Sequence, residues 1–126
     1  DGFISINDSG NTPELQQLDS LLRLTSVPLA LENIDWEALA ANGEQLYIAD
    51  SGNNRGQRNN GFIHRVHYQP NQAKVEVLPG LTYRFASYPA SQPEPYQHDF
   101  DAEALVSANQ QLFLFNKAWQ SDHSTV

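Results

Sequence analysis

An all-β fold is predicted by three features of this 126-residue sequence. Apolar residues alternate or form short runs between clusters of Gly, Asn, Asp and Pro, helical periodicity is scarce, and two motifs recur at fixed spacings. Asp8-Ser9-Gly10-Asn11 returns as Asp50-Ser51-Gly52-Asn53, 42 positions on, while Asp35, Glu37 and Asp50 return as Asp101, Glu103 and Asn116, each 66 positions on. A unit near 42 residues is the size of a propeller blade, a four-stranded antiparallel sheet. A unit of 66 is such a blade carrying 24 extra residues. The fold class predicted is therefore a partial β-propeller, with blade portions at about 1–30, 31–82 and 99–126 and an insertion loop at about 83–98.

Strands are expected in order near Phe3-Asp8, Glu14-Leu18, Arg23-Val27, Ile34-Ala40, Gln45-Asp50, Phe62-Tyr68, Lys74-Leu78, Glu103-Val106 and Gln111-Phe115. Each is a short alternating or apolar run closed by turn-forming residues. The competing reading is a helix over Pro13 to Leu24, where Leu15, Leu18, Leu21 and Leu22 recur at helix-like spacing. From Tyr83 to Asp99, Pro89, Pro93 and Pro95 interrupt any period, which marks a loop excursion. On the strand carrying the repeated acids, alternation sends Asp35, Glu37 and Leu39 one way and Ile34, Trp36 and Ala38 the other. Burying two unpaired carboxylates is costly, so these acids are expected to line water or to accept backbone N–H bonds from a neighbouring blade.

Composition narrows the function classes. Fifteen acids against seven bases give a formal charge of −8 with no basic cluster, which argues against nucleic acid or an anionic membrane as partner. No apolar run reaches the roughly 20 residues of a membrane-spanning helix. Cysteine is absent, which excludes a disulfide framework and Cys-ligated zinc and leaves the compartment open. Methionine is absent too, so Asp1 reads as a processed or internal position, and a propeller of this length is expected to be a fragment or to be completed by self-assembly, with three copies forming one ring.

Chemistry-bearing residues fall into three groups. Asp35, Glu37, Asp101 and Glu103 are weak candidates for a catalytic carboxylate pair, although a repeated acid more naturally serves the repeat. Asp8, Asn11, Asp50 and Asn53 offer hard oxygen ligands and are the candidate calcium set, although Gly61 stands where an EF-hand needs its twelfth-position Glu. The alternative for the second turn is an Asx turn, with Asp50 accepting N–H bonds and Gly52 supplying a positive φ. Arg55, Arg58 and Tyr96 are the candidate ligand-binding residues, and pairing of Arg58 with Asp50 or Glu37 is their structural alternative. His64 and His67 lie three apart on one strand and cannot chelate one metal together. Serine-nucleophile, Walker and dinucleotide motifs are lacking.

The set Asn33-x-Asp35-Trp36-Glu37-x-Leu39-Ala40, then Leu46-Tyr47-Ile48-x-Asp50-x-Gly52-Asn53-Asn54 with Arg58, preceded by Asn7-Asp8-Ser9-Gly10-Asn11 and followed by Phe100-Asp101-x-Glu103-Ala104-Leu105, resembles a family of uncharacterised secreted bacterial β-propellers. It is similar in pattern to the wider phytase-like or esterase-like propeller group. The resemblance spans Ile4 to about Lys117 and implies an extracytoplasmic, periplasmic or secreted, binding or scaffold module for an unknown small molecule or protein. Its alternative implication is a calcium-dependent hydrolase that uses channel-facing acids. A plain β-sandwich would instead require the two spacings to be coincidence and would put Asp35 and Asp101 on non-equivalent strands.

Overall fold

The computed structural model describes residues 2–69 and 75–126. Among them there is no helix. Nine strands form three open antiparallel sheets. The first contains β1 (Gly2–Ile6), β2 (Glu14–Asp19) and β3 (Leu24–Pro28). The second contains β4 (Trp36–Asn42), β5 (Gln45–Asp50), β6 (Asn60–His67) and β7 (Glu76–Arg84), and the third contains β8 (Asp101–Ala108) and β9 (Gln111–Lys117). The leucines of Pro13 to Leu24 serve a strand and a turn rather than a helix: Leu15 is wholly buried, whereas Leu21 and Leu22 are exposed at the β2–β3 connection.

The middle sheet is covered on both faces. Leu46 and Ile48 of β5 face the first sheet, where they pack with Trp36, Val66, Leu15 and Val27. The intervening Tyr47 and Ala49 face the third sheet, with Ala40, Ile63, Leu105, Leu112 and Leu114. Strict alternation along β5 is what lets one strand serve two cores.

Strand β4 departs from that alternation. Trp36 pairs with Asp50 but Ala38 pairs with Ala49, so Glu37 is the extra residue of a β-bulge. The bulge resets the faces. Trp36 and Leu39 join the first core while Ala38 and Ala40 join the second, which overturns the expected grouping of Leu39 with Asp35 and of Ala38 with Trp36.

The third sheet repeats this layout residue for residue. Ala102 pairs with Asn116 and Ala104 with Phe115, making Glu103 the bulged residue, and the hairpin closes at Ala108 opposite Gln111. Each pair lies 66 positions beyond its β4–β5 counterpart, from Trp36 opposite Asp50 to Asn42 opposite Gln45. Asp35 and Asp101 are therefore equivalent, contrary to what a β-sandwich with coincidental spacings requires.

Two boundaries differ from expectation. Of the strand expected at Lys74-Leu78, Lys74 lies outside the described residues, and the strand itself runs on to Arg84 through Pro79-Gly80. It survives proline because β7 is an edge strand with an irregularity opposite Ile63 and Arg65, where Pro is tolerated. Tyr83 accordingly belongs to β7, and the loop excursion occupies 85–100.

Candidate functional site

The first pair of repeated acids sits at the start of β4, beside the turn that joins β1 to β2. Asn33 anchors that junction: its side-chain amide donates to the Asp8 carbonyl at 3.0 Å, and its carbonyl oxygen accepts the Trp36 N–H at 3.2 Å. The turn after β5 passes beneath the acids, and the Asp35 carbonyl accepts N–H bonds from Ser51 at 3.0 Å and Gly52 at 3.1 Å. A Cβ on Gly52 would lie 2.2 Å from Asp35 Oδ2 and 2.5 Å from Glu37 Oε1. Any larger residue at Gly52 therefore has to displace the ends of the Asp35 and Glu37 side chains. The positive φ expected of it belongs instead to Gly10, Gly43 and Gly56.

Asp8 adds a third carboxylate, and Asp8, Asp35 and Glu37 each place an oxygen within 4.8 Å of the other two. None of them takes part in an ion pair among the described residues. The electrostatic consequence is direct. Partial burial raises the Asp35 pKa, a bond from the Ser9 hydroxyl opposes this, and the Asp8 charge adds to it. Burial, followed by the negative charges of Glu103, Asp35, Asp8 and Asp101, pushes Glu37 up to about 7.

The equivalent acids of the third sheet are satisfied. Asp101 is completely buried and accepts the Asn53 N–H at 2.6 Å and the Trp119 indole N–H at 2.9 Å. Glu103 pairs with Lys117 at 3.1 Å, and that ammonium also lies 4.3 Å from the Trp119 ring centre. The candidate catalytic quartet is therefore divided. Asp35 and Glu37 stay in one unneutralised group, Asp101 is enclosed, and Glu103 has its own cation.

The calcium set expected from the turns is divided too. Asp50 accepts the N–H groups of Ile34 at 3.2 Å and Asp35 at 3.3 Å, and pairs with Arg58 at 2.9 Å. Burial alone would raise its pKa, but His64 close by, these N–H bonds and Arg58 together hold it below the usual carboxylate range. Asn53 spends its amide on the carbonyls of Arg58 at 2.7 Å and Phe100 at 2.8 Å, while its oxygen accepts the Arg58 N–H at 2.8 Å. Asn11 bonds back to its own turn at the Asp8 carbonyl, 3.1 Å away. Asp50 and Asn53 thus hold the second turn together, and the carboxylates placed to share a cation are Asp8, Asp35 and Glu37.

The ligand-binding trio does converge. Arg55, Arg58 and Tyr96 line one cavity of about 350 Å³ together with Ser9, Ile34, Asp35, Gly52, Asn53, Asn54 and Gln57. Their roles differ. Arg58 is committed to Asp50 and to the Gly52 and Asp50 carbonyls, at 3.1 and 2.9 Å. Arg55 is exposed and has no ion-pair partner among the described residues. Tyr96 is held in a left-handed conformation (φ 59°) by its N–H bond to the Asn54 carbonyl at 2.9 Å, and its ring rests edge-on against Trp119. The two other tyrosines of this region are structural: Tyr83, on β7, has its hydroxyl buried and its pKa pushed by burial to about 12, and Tyr88, in the loop, donates to the Gly56 carbonyl.

A larger cleft of about 730 Å³ runs between β7 and β9, lined by Tyr83, Phe85, Phe100, Leu112, Leu114 and neighbours. It is mostly apolar, and the acid on its wall, Asp99, is occupied by the N–H groups of Gln120 at 2.9 Å and Ser121 at 3.3 Å. The sequence placed Ser9 beside acids without giving it a role at the site, and Gln57 and Trp119 were missed. The 42-residue repeat, which pairs Ser9 with Ser51, carried that signal, whereas Trp119 has none because its counterpart is Asn53. No family model matches the chain, and no significantly similar curated protein or solved structure is found for it.

Proposed function

We propose that the chain is a β-propeller-type binding module, working outside the cytoplasm, that takes a small polar ligand into the cavity beside Asp35. The propeller reading is supported by the residue-for-residue repetition of the two bulged hairpins and by the way successive sheets stack face to face. One observation carries the binding reading: Asp101 has both carboxylate oxygens taken by N–H donors, while the equivalent Asp35 opens onto a cavity with a free guanidinium and an exposed tyrosine on its wall. A ligand that fits has hydroxyl or ammonium donors for Asp35 and a carboxylate for Arg55, with an apolar face to lie against Tyr96. Hydroxy acids, hexuronic acids and amino acids share this chemistry. Binding is favoured over catalysis because Asp35 is the one member of the four acids that lines the cavity, which leaves no second carboxylate there to share acid and base roles.

Calorimetric and amide-shift titrations with those three ligand classes test this. Binding by the wild type, weakened about tenfold or more in Asp35→Asn and Arg55→Gln and kept in Lys117→Met, is expected. Absence of any shift at Asp35, Arg55 or Tyr96 would contradict it. The distance among Asp8, Asp35 and Glu37 favours a second reading, a calcium site. It predicts a calcium-dependent rise in melting temperature that Glu37→Gln abolishes, and the hydrolase form of that reading additionally needs calcium-dependent phosphoester turnover.

A further inference from the structure

The outer faces of the first and third sheets each carry an apolar row that no part of the described chain is seen to cover as the inter-sheet rows are covered. In the first sheet Phe3, Leu18 and Leu24 lie directly opposite one another across the three strands. They share the face turned away from Leu15, Val27 and Ile6, since Leu15 and Leu18 are three apart on one strand. Phe3 is 75% and Leu24 66% exposed. The adjacent row, Ser5, Gln16 and Ser26, is uncharged, with the Ser26 hydroxyl bonded to Gln16 at 3.0 Å. In the third sheet Leu105 and Leu114 face the middle sheet, so the opposing pairs Val106 with Phe113 and Ala104 with Phe115 face away, and Val106 is 47% exposed.

We infer that the outer face of the first sheet docks on the outer face of the third sheet of a second copy of this chain. Within the chain, sheet packs on sheet through alternating apolar rows twice in succession, and docking between copies continues that interface with the same chemistry. The contact is heterologous, two different faces meeting, so it either closes into a ring or runs on as a filament. The closed form rests on the propeller reading. Three sheets per chain make two copies a six-sheet ring, inside the range of four to eight blades, and replace the three-copy ring expected from counting two blades. The formal charge of −8 opposes association, so added salt strengthens it.

Complementation of two face variants of the whole chain is the test. One carries Phe3→Ser with Leu24→Ser, the other Val106→Thr with Phe113→Ser, and circular dichroism checks that both keep the wild-type strand signal. Light scattering behind a sizing column is expected to give twice 14.1 kDa for the wild type, a monomer for each variant alone, and partial recovery of the dimer on mixing the two. A wild type that stays monomeric at high salt overturns the inference. So does a dimer lost in only one variant, which would mean that one face meets itself. Polydisperse growth that both variants stop keeps the docking contact but rejects the propeller curvature, and is thereby distinguishable.

Discussion

The β4–β5 and β8–β9 hairpins have the same register, the same bulge and the same acids, yet their acids end in opposite states. Asp101 is enclosed by two N–H donors and Glu103 by Lys117, whereas Asp35 and Glu37 share a crowded space with Asp8. The difference is made by two positions. Where the second hairpin has Lys117 and Trp119, the first has Ser51 and Asn53, 66 positions earlier, which supply neither a cation nor an indole N–H. Ser51 instead donates to the Ala102 carbonyl at 2.7 Å, and Asn53 is spent on Arg58 and Phe100. The backbone of a repeat can thus be conserved within one chain while the side chains that neutralise its acids decide which copy becomes a site.

The largest effect expected from breaking this comparison is Asp101→Ala. It leaves the Asn53 N–H and the Trp119 indole N–H buried without an acceptor, which costs about 3 kcal/mol in urea unfolding. Asp35→Ala at the equivalent position is expected to change stability by no more than ~0.5 kcal/mol, because it removes a crowded charge rather than a satisfied one. Equal losses at the two positions would abolish the distinction.

Gly52→Ala comes next. Its methyl group collides with the ends of Asp35 and Glu37, side chains that can swing aside, so a loss of about 1–2 kcal/mol is expected together with a reshaped cavity and lost ligand binding. A variant that melts and binds as the wild type does would mean that the carboxylates do not rest on Gly52.

The pH profile sharpens the comparison further. Glu37 titrates near 7 when folded and at 4.5 when unexposed to its neighbours, so between those values the unfolded chain has lost a proton that the folded chain keeps. Stability therefore falls as pH rises from about 4.5 to about 7, by about 1 kcal/mol once solvent screening is allowed for. Glu37→Gln flattens that slope. Asp50 acts in the opposite sense and lower down: its depressed pKa gives stability that is present above about 3.8 and lost as pH falls through its folded value. The smallest expected effect is Lys117→Met, within ~0.5 kcal/mol by thermal melting, since its bridge to Glu103 is solvent-exposed.

Much of the fold was legible because turn residues and alternation are local signals. All nine strands were anticipated, and the 66-residue spacing predicted the hairpin equivalence. The bulges at Glu37 and Glu103 were not, because one extra residue in a ladder is set by the partner strand and leaves no trace in alternation, and missing them misassigned Ala38 and Leu39. The Pro79-Gly80 pair ended a strand on paper that an edge position lets continue. At the site, residue types were readable but most partnerships were not. The pairing of Arg58 with Asp50 was the one partnership anticipated, as the structural alternative for that arginine, whereas the bond from Asn53 to Asp101 spans 48 positions and left no local signal. Asp8, Asp35 and Glu37 were each named as acids of interest, but only the three-dimensional path of the turns puts them together.

Glu37 belongs to an uncompensated acidic group, while its equivalent Glu103 is paired with Lys117. Carboxyl-carbon NMR of the wild type across pH 3 to 9 measures this directly. The expected result is a Glu37 midpoint near 7 that drops when Asp8 and Asp35 are changed to Asn. A Glu37 midpoint near 4.5, unmoved by those substitutions, would contradict it.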